Sequence, residues 1–194
     1  MSVRKKIGLF FGSFNPIHIG HLILANYFTE YTDLKEVWFV VSPHNPLKEK
    51  QSLLNQNHRL YMVNLAIEDF PKFKANNIEF GLPQPSYTIH TLVHLKEKYP
   101  QYNFTLIMGQ DNLATFHKWK NHEEILKNHT IYIYPRSEAK ESKFDKHASI
   151  TFTKAPQIDI SSTFIRKAIK EKKDIRFFLH PKVWQHIDEM MFYK

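Results

Sequence analysis

The chain has 194 residues, 42% apolar and 14% aromatic, enough for one well-packed core and too apolar for intrinsic disorder. It contains no cysteine, so disulfide scaffolds and thiolate-ligated metals are excluded, and no apolar run approaches the roughly 20 residues that span a bilayer. A formal charge of +8 calls for anionic partners, either nucleic acid or nucleotides carrying several phosphates. The basic residues are scattered, and the densest run, Lys170 to Lys173, is interrupted by Glu171 and reads as a solvated helix end. That distribution argues against a nucleic-acid groove. The segment from Met1 to Lys6 carries no cleavable signal pattern, and a cytoplasmic location is expected.

In chain order, Ile7 to Phe11 is a short continuous apolar run, followed by the helix-period segment His21 to Tyr31. Val37 to Val41 repeats the strand pattern, and Arg59 to Glu68 and Thr88 to Lys98 read as helices. Phe104 to Met108, Ile131 to Tyr134 and Ile150 to Thr153 supply further strands. Ser162 to Lys172 predicts a helix, and Pro181 opens another that holds Val183, Trp184 and Ile187. Unbroken apolar runs suit strands buried on both faces, so the alternation predicts an α/β fold, a doubly wound parallel sheet with a helical C-terminal end. No linker or repeat divides residues 1–194, which read as one domain, and the polar stretch Ser137 to His147 is the candidate mobile loop.

The segment from Gly12 to His21, GSFNPIHIGH, lies between the first strand and the first helix, where open α/β sheets bind ligands. Gly12 allows a sharp turn and Pro16 restricts its path. His18 and His21 are three residues apart and would share one face of a first helical turn. Gly20 between them removes a side chain where a phosphate needs close approach, and the helix N-terminus adds N–H donors. Phosphoryl or nucleotidyl transfer needs charge stabilisation on phosphate oxygens more than a nucleophile, which donors of this kind supply. A lone histidine at a turn is more often a packed residue; two of them beside Gly20 at a helix start point to the anion site. No carboxylate or third histidine accompanies the pair, so no protein metal site is expected. The Walker A lysine motif and the Gly-rich dinucleotide fingerprint are both absent.

Far along the chain, Ser161-Ser162-Thr163-Phe164-Ile165-Arg166 opens an amphipathic helix. Ser161 and Ser162 are N-cap candidates whose hydroxyls can donate to phosphate oxygens. Arg166, one turn beyond Ser162, can face the same anion and neutralise a leaving pyrophosphate. Read alone, the segment is an ordinary capped helix with a surface arginine.

The combination of GSFNPIHIGH after a strand with ISSTFIR near the end resembles the HIGH-motif nucleotidyltransferases, in which both motifs clasp a nucleoside triphosphate. The aminoacyl-tRNA synthetases that share the first motif carry a KMSKS-type signature, which this chain lacks. Three further segments are similar to those of bacterial nicotinate-nucleotide adenylyltransferases: Ser42 to Lys48, Pro85 to Thr88, and Gly109 to Leu113 leading to Phe116 and Trp119. The resemblance covers essentially the whole chain. It implies a Rossmann-like fold and transfer of the adenylyl group of ATP to nicotinate mononucleotide, with Mg²⁺ bound to the ATP phosphates. It assigns Gly12, Ser13, Phe14, His18, Gly20, His21, Ser161, Ser162, Thr163 and Arg166 to ATP, and Tyr87, Thr88 and Trp119 to the nicotinate pocket. His18, His21 and Arg166 would carry the catalysis.

For that acceptor, Trp119 offers a flat face for a pyridine ring, stacking that is worth about 1–3 kcal/mol per base in nucleic-acid complexes. Thr88 can donate to a carboxylate through its hydroxyl and backbone N–H, and Lys48 can bring a cation to a phosphate. Asp111, just past a strand, suits sugar hydroxyls or an ordered water, and Arg136 can reach a phosphate on the acceptor side. One position departs from the family pattern. His90 stands where an aspartate is usual; either its imidazole fills the same hydrogen-bonding role or it alters the choice between the acid and amide mononucleotides. Nicotinamide mononucleotide or phosphopantetheine as acceptor, and a non-catalytic nucleotide- or RNA-binding protein on this scaffold, are the competing readings. The oligomeric state is not written in the sequence.

Overall fold

The computed structural model describes residues 4–43, 53–137 and 140–194. Six strands form one sheet in the order β3-β2-β1-β4-β5-β6, and every neighbouring pair is parallel. The strands are β1 (Lys5–Gly12), β2 (Glu36–Val41), β3 (Phe73–Asn76), β4 (Tyr102–Gly109), β5 (Ile131–Tyr134) and β6 (Ile150–Phe152). The helices are α1 (Ile19–Tyr31), α2 (Gln56–Ile67), α3 (Thr88–Lys98), α4 (Gln110–Ala114), α5 (His122–Asn128), α6 (Ser162–Lys170) and α7 (Pro181–Glu189). The expected doubly wound α/β sheet is the observed one. Among the described residues no helix is long and apolar enough to cross a membrane.

Alternation along β1 sends side chains to two cores. Ile7 and Leu9 join Trp38, Leu92, Leu95, Leu106 and Phe116 on one face. Phe10 joins Phe14, Leu24, Phe28 and Phe39, with Met62, Ile165 and Val183 from later helices, on the other. All six residues of β2 are buried, as its unbroken apolar run requires. The sequence pattern misses β3, because Phe-Lys-Ala-Asn is four residues at the sheet edge with one buried side chain. The short helices α4 and α5 escape for a related reason, since five and seven residues are too few to show a 3.6-residue period.

Residues 140–147 of the polar stretch are more anchored than their polarity implies. Phe144 is buried against Phe116 and His122, and the Ser142 hydroxyl donates to the Leu113 carbonyl at 3.0 Å. A single aromatic side chain inserted into the core ties down a segment that composition alone reads as loose.

The strand order reverses between β1 and β4. Chain connections leave their carboxyl ends in opposite directions there, opening a crevice above Gly12 and Gly109. That crevice holds the site.

Candidate active site

The turn after β1 is built around a residue other than its glycine. Phe14 carries the left-handed backbone (φ 45°), whereas no glycine in the described chain has positive φ. A Cβ on Gly12 would lie 2.8 Å from the Phe14 ring. Gly12 therefore makes room for that ring and leaves the turn itself to Phe14. Ser13 and Phe14 both border the resulting cavity.

His18 is the N-cap of α1, with extended backbone, and His21 is its third residue. The two imidazoles do not ride side by side on a helical turn, as spacing alone suggested; they stack face to face, centroids 3.7 Å apart and planes inclined by 26°. The His18 backbone N–H donates to His21 Nδ1 at 3.2 Å. A neutral His21 held this way carries its proton on Nε2 and is a donor from that atom. Phe10 and Phe14 press edge-on against the His21 ring. His18 is 5% exposed, and burial, with the Arg136 guanidinium nearby, pushes its pKa down to about 4. Its Nδ1 is buried without a hydrogen-bond partner among the described residues.

Gly20 borders this cavity and also makes room for a neighbour. A Cβ there would meet Ile158 Cγ2 at 2.7 Å and His18 Nδ1 at 3.1 Å, so the missing side chain seats Ile158 against α1.

Across the crevice, Ser161 caps α6 by accepting from the Phe164 N–H at 3.1 Å. The Ser162 hydroxyl donates to the Pro16 carbonyl at 2.8 Å, so it ties α6 to the first loop at the border of the cavity. Arg166 donates to the Asn15 carbonyl at 2.8 Å and to the Thr163 hydroxyl at 3.3 Å. Two segments about 150 residues apart thus close one cavity of about 290 Å³, bordered by His18, His21, Arg136, Arg166 and Thr163. Arg136, expected on the acceptor side, lies here, held by the Ile158 carbonyl at 2.8 Å. Asp111 also faces this cavity and is not part of the aromatic one. The cause is topological: β4 and β5 are neighbours, so the residues just past their ends point into the crevice beside β1.

A second cavity, of about 330 Å³, is bordered by Tyr87, Thr88, Trp119, Lys118, Lys120 and Glu79. Thr88 is the first residue of α3, after the extended N-cap Tyr87, so its N–H is among the unpaired donors of a helix start. Trp119 is partly buried, packs on the fully buried Phe116 and borders the cavity. Lys120 Nζ sits 4.7 Å from the Tyr87 ring centre. The two cavities share Gly12, Phe10, Asn112 and Tyr134 and so adjoin over the ends of β1 and β4. Burial, with the Asp111 carboxylate nearby, raises the Tyr134 hydroxyl to about 12, so it stays protonated as a donor. Lys48 lies outside the described residues.

Sequence reasoning missed several residues that shape these walls. Arg59 is fully buried and donates to four backbone carbonyls, those of Leu54, Ser13, Ser42 and Pro43, at 2.6 to 2.9 Å. Burial lowers its pKa to about 10, which leaves it charged at neutral pH. Glu79, also buried, accepts from the Ser86 and Thr91 hydroxyls at 3.0 and 2.7 Å and fixes the turn before Tyr87. Nothing in the linear sequence marks either residue, because their partners are supplied by tertiary packing. Among the described residues no three His, Asp or Glu side chains converge as a metal site.

A cationic cavity beside an aromatic one, at the switch point of a parallel sheet, defines a nucleotidyltransferase-type site. The chain matches the cytidylyltransferase-like family model over residues 9–168. Proteins of Flavobacterium psychrophilum and Christiangramia forsetii, both named "Probable nicotinate-nucleotide adenylyltransferase", are each 59% identical to it. The first alignment covers 97% of this chain and 99% of the relative, the second 99% and 100%. A solved nicotinic acid mononucleotide adenylyltransferase of Plasmodium falciparum, complexed with NaAD, superposes with a TM-score of 0.80 at 22% identity, covering 97% of each chain. The chain belongs to the cytidylyltransferase-like family and, within it, to the nicotinate-nucleotide adenylyltransferases.

Proposed function

We propose that this enzyme transfers the adenylyl group of ATP to nicotinate mononucleotide, releasing pyrophosphate and nicotinate adenine dinucleotide, a step of NAD biosynthesis, and that residues 1–194 act as one cytoplasmic domain. The observation that carries this reading is the pair of adjoining cavities, one lined by His18, His21, Arg136 and Arg166, the other by Trp119, Tyr87 and Thr88. A triphosphate in the first and a pyridine mononucleotide in the second bring an acceptor phosphate up to the α-phosphorus over Gly12 and Tyr134.

In this reaction an acceptor phosphate oxygen forms a bond to the α-phosphorus as the bond to the bridging oxygen of pyrophosphate breaks. No protein nucleophile and no covalent intermediate is needed. The rate gain comes from positioning and from donors aimed at charge that moves onto phosphate oxygens. His18, kept neutral by burial, and His21 serve as donors, and Arg166 and Arg136 neutralise the departing pyrophosphate. Trp119 stacks on the pyridine ring, and Thr88 with the first N–H groups of α3 receives its carboxylate. Lys118 and Lys120 make that pocket cationic, which favours the acid over the amide. Magnesium accompanying the nucleotide supplies further charge neutralisation on the phosphates. With no protein metal cluster among the described residues, phosphate oxygens would provide its principal ligands and Asp111 the available carboxylate.

Pyrophosphate release with ATP and Mg²⁺ should be fastest with nicotinate mononucleotide, slower with nicotinamide mononucleotide and undetectable with phosphopantetheine. Equal rates with acid and amide would remove the acceptor preference but keep the reaction class. Silence with all three would return the RNA- or nucleotide-binding alternative, for which salt-dependent RNA binding is the check.

A further inference from the structure

We infer that Tyr193, in the turn after α7, is a positioning residue for the ATP phosphates, acting through Asn15. The inference rests on reading the cavity of His18 and Arg166 as the ATP site. Tyr193 Oη donates to Asn15 Oδ1 at 2.8 Å, a contact between residues 178 apart in sequence. Asn15 is 3% exposed and stands in the middle of the loop between β1 and α1. Its Oδ1 also accepts from the Leu54 N–H at 3.3 Å, and its backbone carbonyl accepts from Arg166 at 2.8 Å. One asparagine therefore links the phosphate loop, the segment leading into α2, the arginine of α6 and the turn after α7.

The loop needs such restraint. Phe14, next to Asn15, holds a left-handed conformation that a non-glycine residue adopts only when its surroundings over-determine it. Three loop carbonyls are gripped by donors from elsewhere, Ser13 by Arg59, Asn15 by Arg166 and Pro16 by Ser162. Tyr193, together with the Leu54 N–H, holds the Asn15 side chain. The turn bringing it there is itself strained, with Met191 at φ 51° and Tyr193 at φ 66°. Two strained segments meeting at one hydrogen bond place the tyrosine where it sets the aim of the Asn15 carbonyl, and hence of Arg166.

Tyr193→Phe keeps the ring and removes the donor. We expect the KM for ATP to rise about fivefold to tenfold, the size of one lost hydrogen bond in a preorganised loop. The KM for nicotinate mononucleotide should stay within about twofold, and the melting temperature within a few degrees. Asn15→Ala should raise the ATP KM as well, and adding Tyr193→Phe to it should change nothing further, since both act through one contact. Calorimetric affinity for a non-hydrolysable ATP analogue, measured on the same proteins, separates this inference from the assignment of the acceptor. Weaker analogue binding by Tyr193→Phe would support it even if no acceptor reacts. An unchanged ATP constant, additive effects with Asn15→Ala, equal losses for both substrates or failure of the variant to fold would each overturn it.

Discussion

Gly20 and Ile158 occupy one space: the hydrogen of the glycine in α1 faces the isoleucine side chain of the loop before α6, and a Cβ would come within 2.7 Å of it. The Ile158 carbonyl in turn holds Arg136 at 2.8 Å. A small residue in the first motif thereby positions a cation contributed by the segment that follows β5, far along the chain.

Gly20→Ala should push Ile158 or the His18 ring aside, since neither the branched Cγ2 nor a buried imidazole moves freely. The expected result is a loss of roughly 1–3 kcal/mol in stability, together with a clear fall in kcat/KM for ATP. Thermal melting and steady-state rates on the one variant test both parts. Wild-type values in both would show that the contact is slack.

His18→Ala should lower kcat by about 10²–10³-fold, the usual effect of deleting one charge-stabilising donor, while the affinity for ATP changes only a few-fold. The split between turnover and binding is the diagnostic. Unchanged turnover would remove His18 from the transition state.

The depressed pKa of His18 makes stability depend on pH. An unfolded chain takes up a proton at this residue near 6.5, whereas the folded protein does so only near 4. Between those values the unfolded state binds more protons, so stability is full above pH 6.5 and declines as pH falls towards 4, by about 3 kcal/mol in total from this group. Urea unfolding of the wild type and of His18→Gln at pH 7.5 and 5 should show a steeper decline in the wild type. Parallel declines would assign the acid sensitivity to other groups.

Trp119→Ala should raise the KM for nicotinate mononucleotide by roughly tenfold or more, as loss of a stacking face does, with little change in the KM for ATP. The ring also packs on Phe116, so some stability is lost with it. Comparing the two substrate constants distinguishes a pocket wall from a general packing residue, for which both would move together.

His90 touches Tyr87 and lies outside the aromatic cavity. Its ring meets the Tyr87 ring edge-on at 5.7 Å and does not border the aromatic cavity. His90→Asp should therefore shift the ratio of acid to amide turnover by no more than about threefold, a partly exposed charge being strongly screened. A larger shift would give this position a direct part in acceptor choice.

The linear sequence by itself determined the class of fold and the two motifs that border one cavity. Both are local signals: strand and helix periods repeat over a few residues, and GSFNPIHIGH and ISSTFIR are contiguous strings at helix starts. Trp119, Tyr87 and Thr88 were legible in the same way, as short segments with aromatic and capping character. The sequence could not say that Ser162 binds a loop carbonyl, that Gly20 seats Ile158, or that Arg136 and Asp111 face the cavity of His18 and Arg166. Those facts depend on which strand ends become neighbours when the sheet is wound in the order β3-β2-β1-β4-β5-β6. Arg59, Glu79 and Tyr193 were silent for the same reason. Each acts through hydrogen bonds to partners that only tertiary packing brings within reach, and a buried donor or acceptor must find such a partner wherever the fold supplies one.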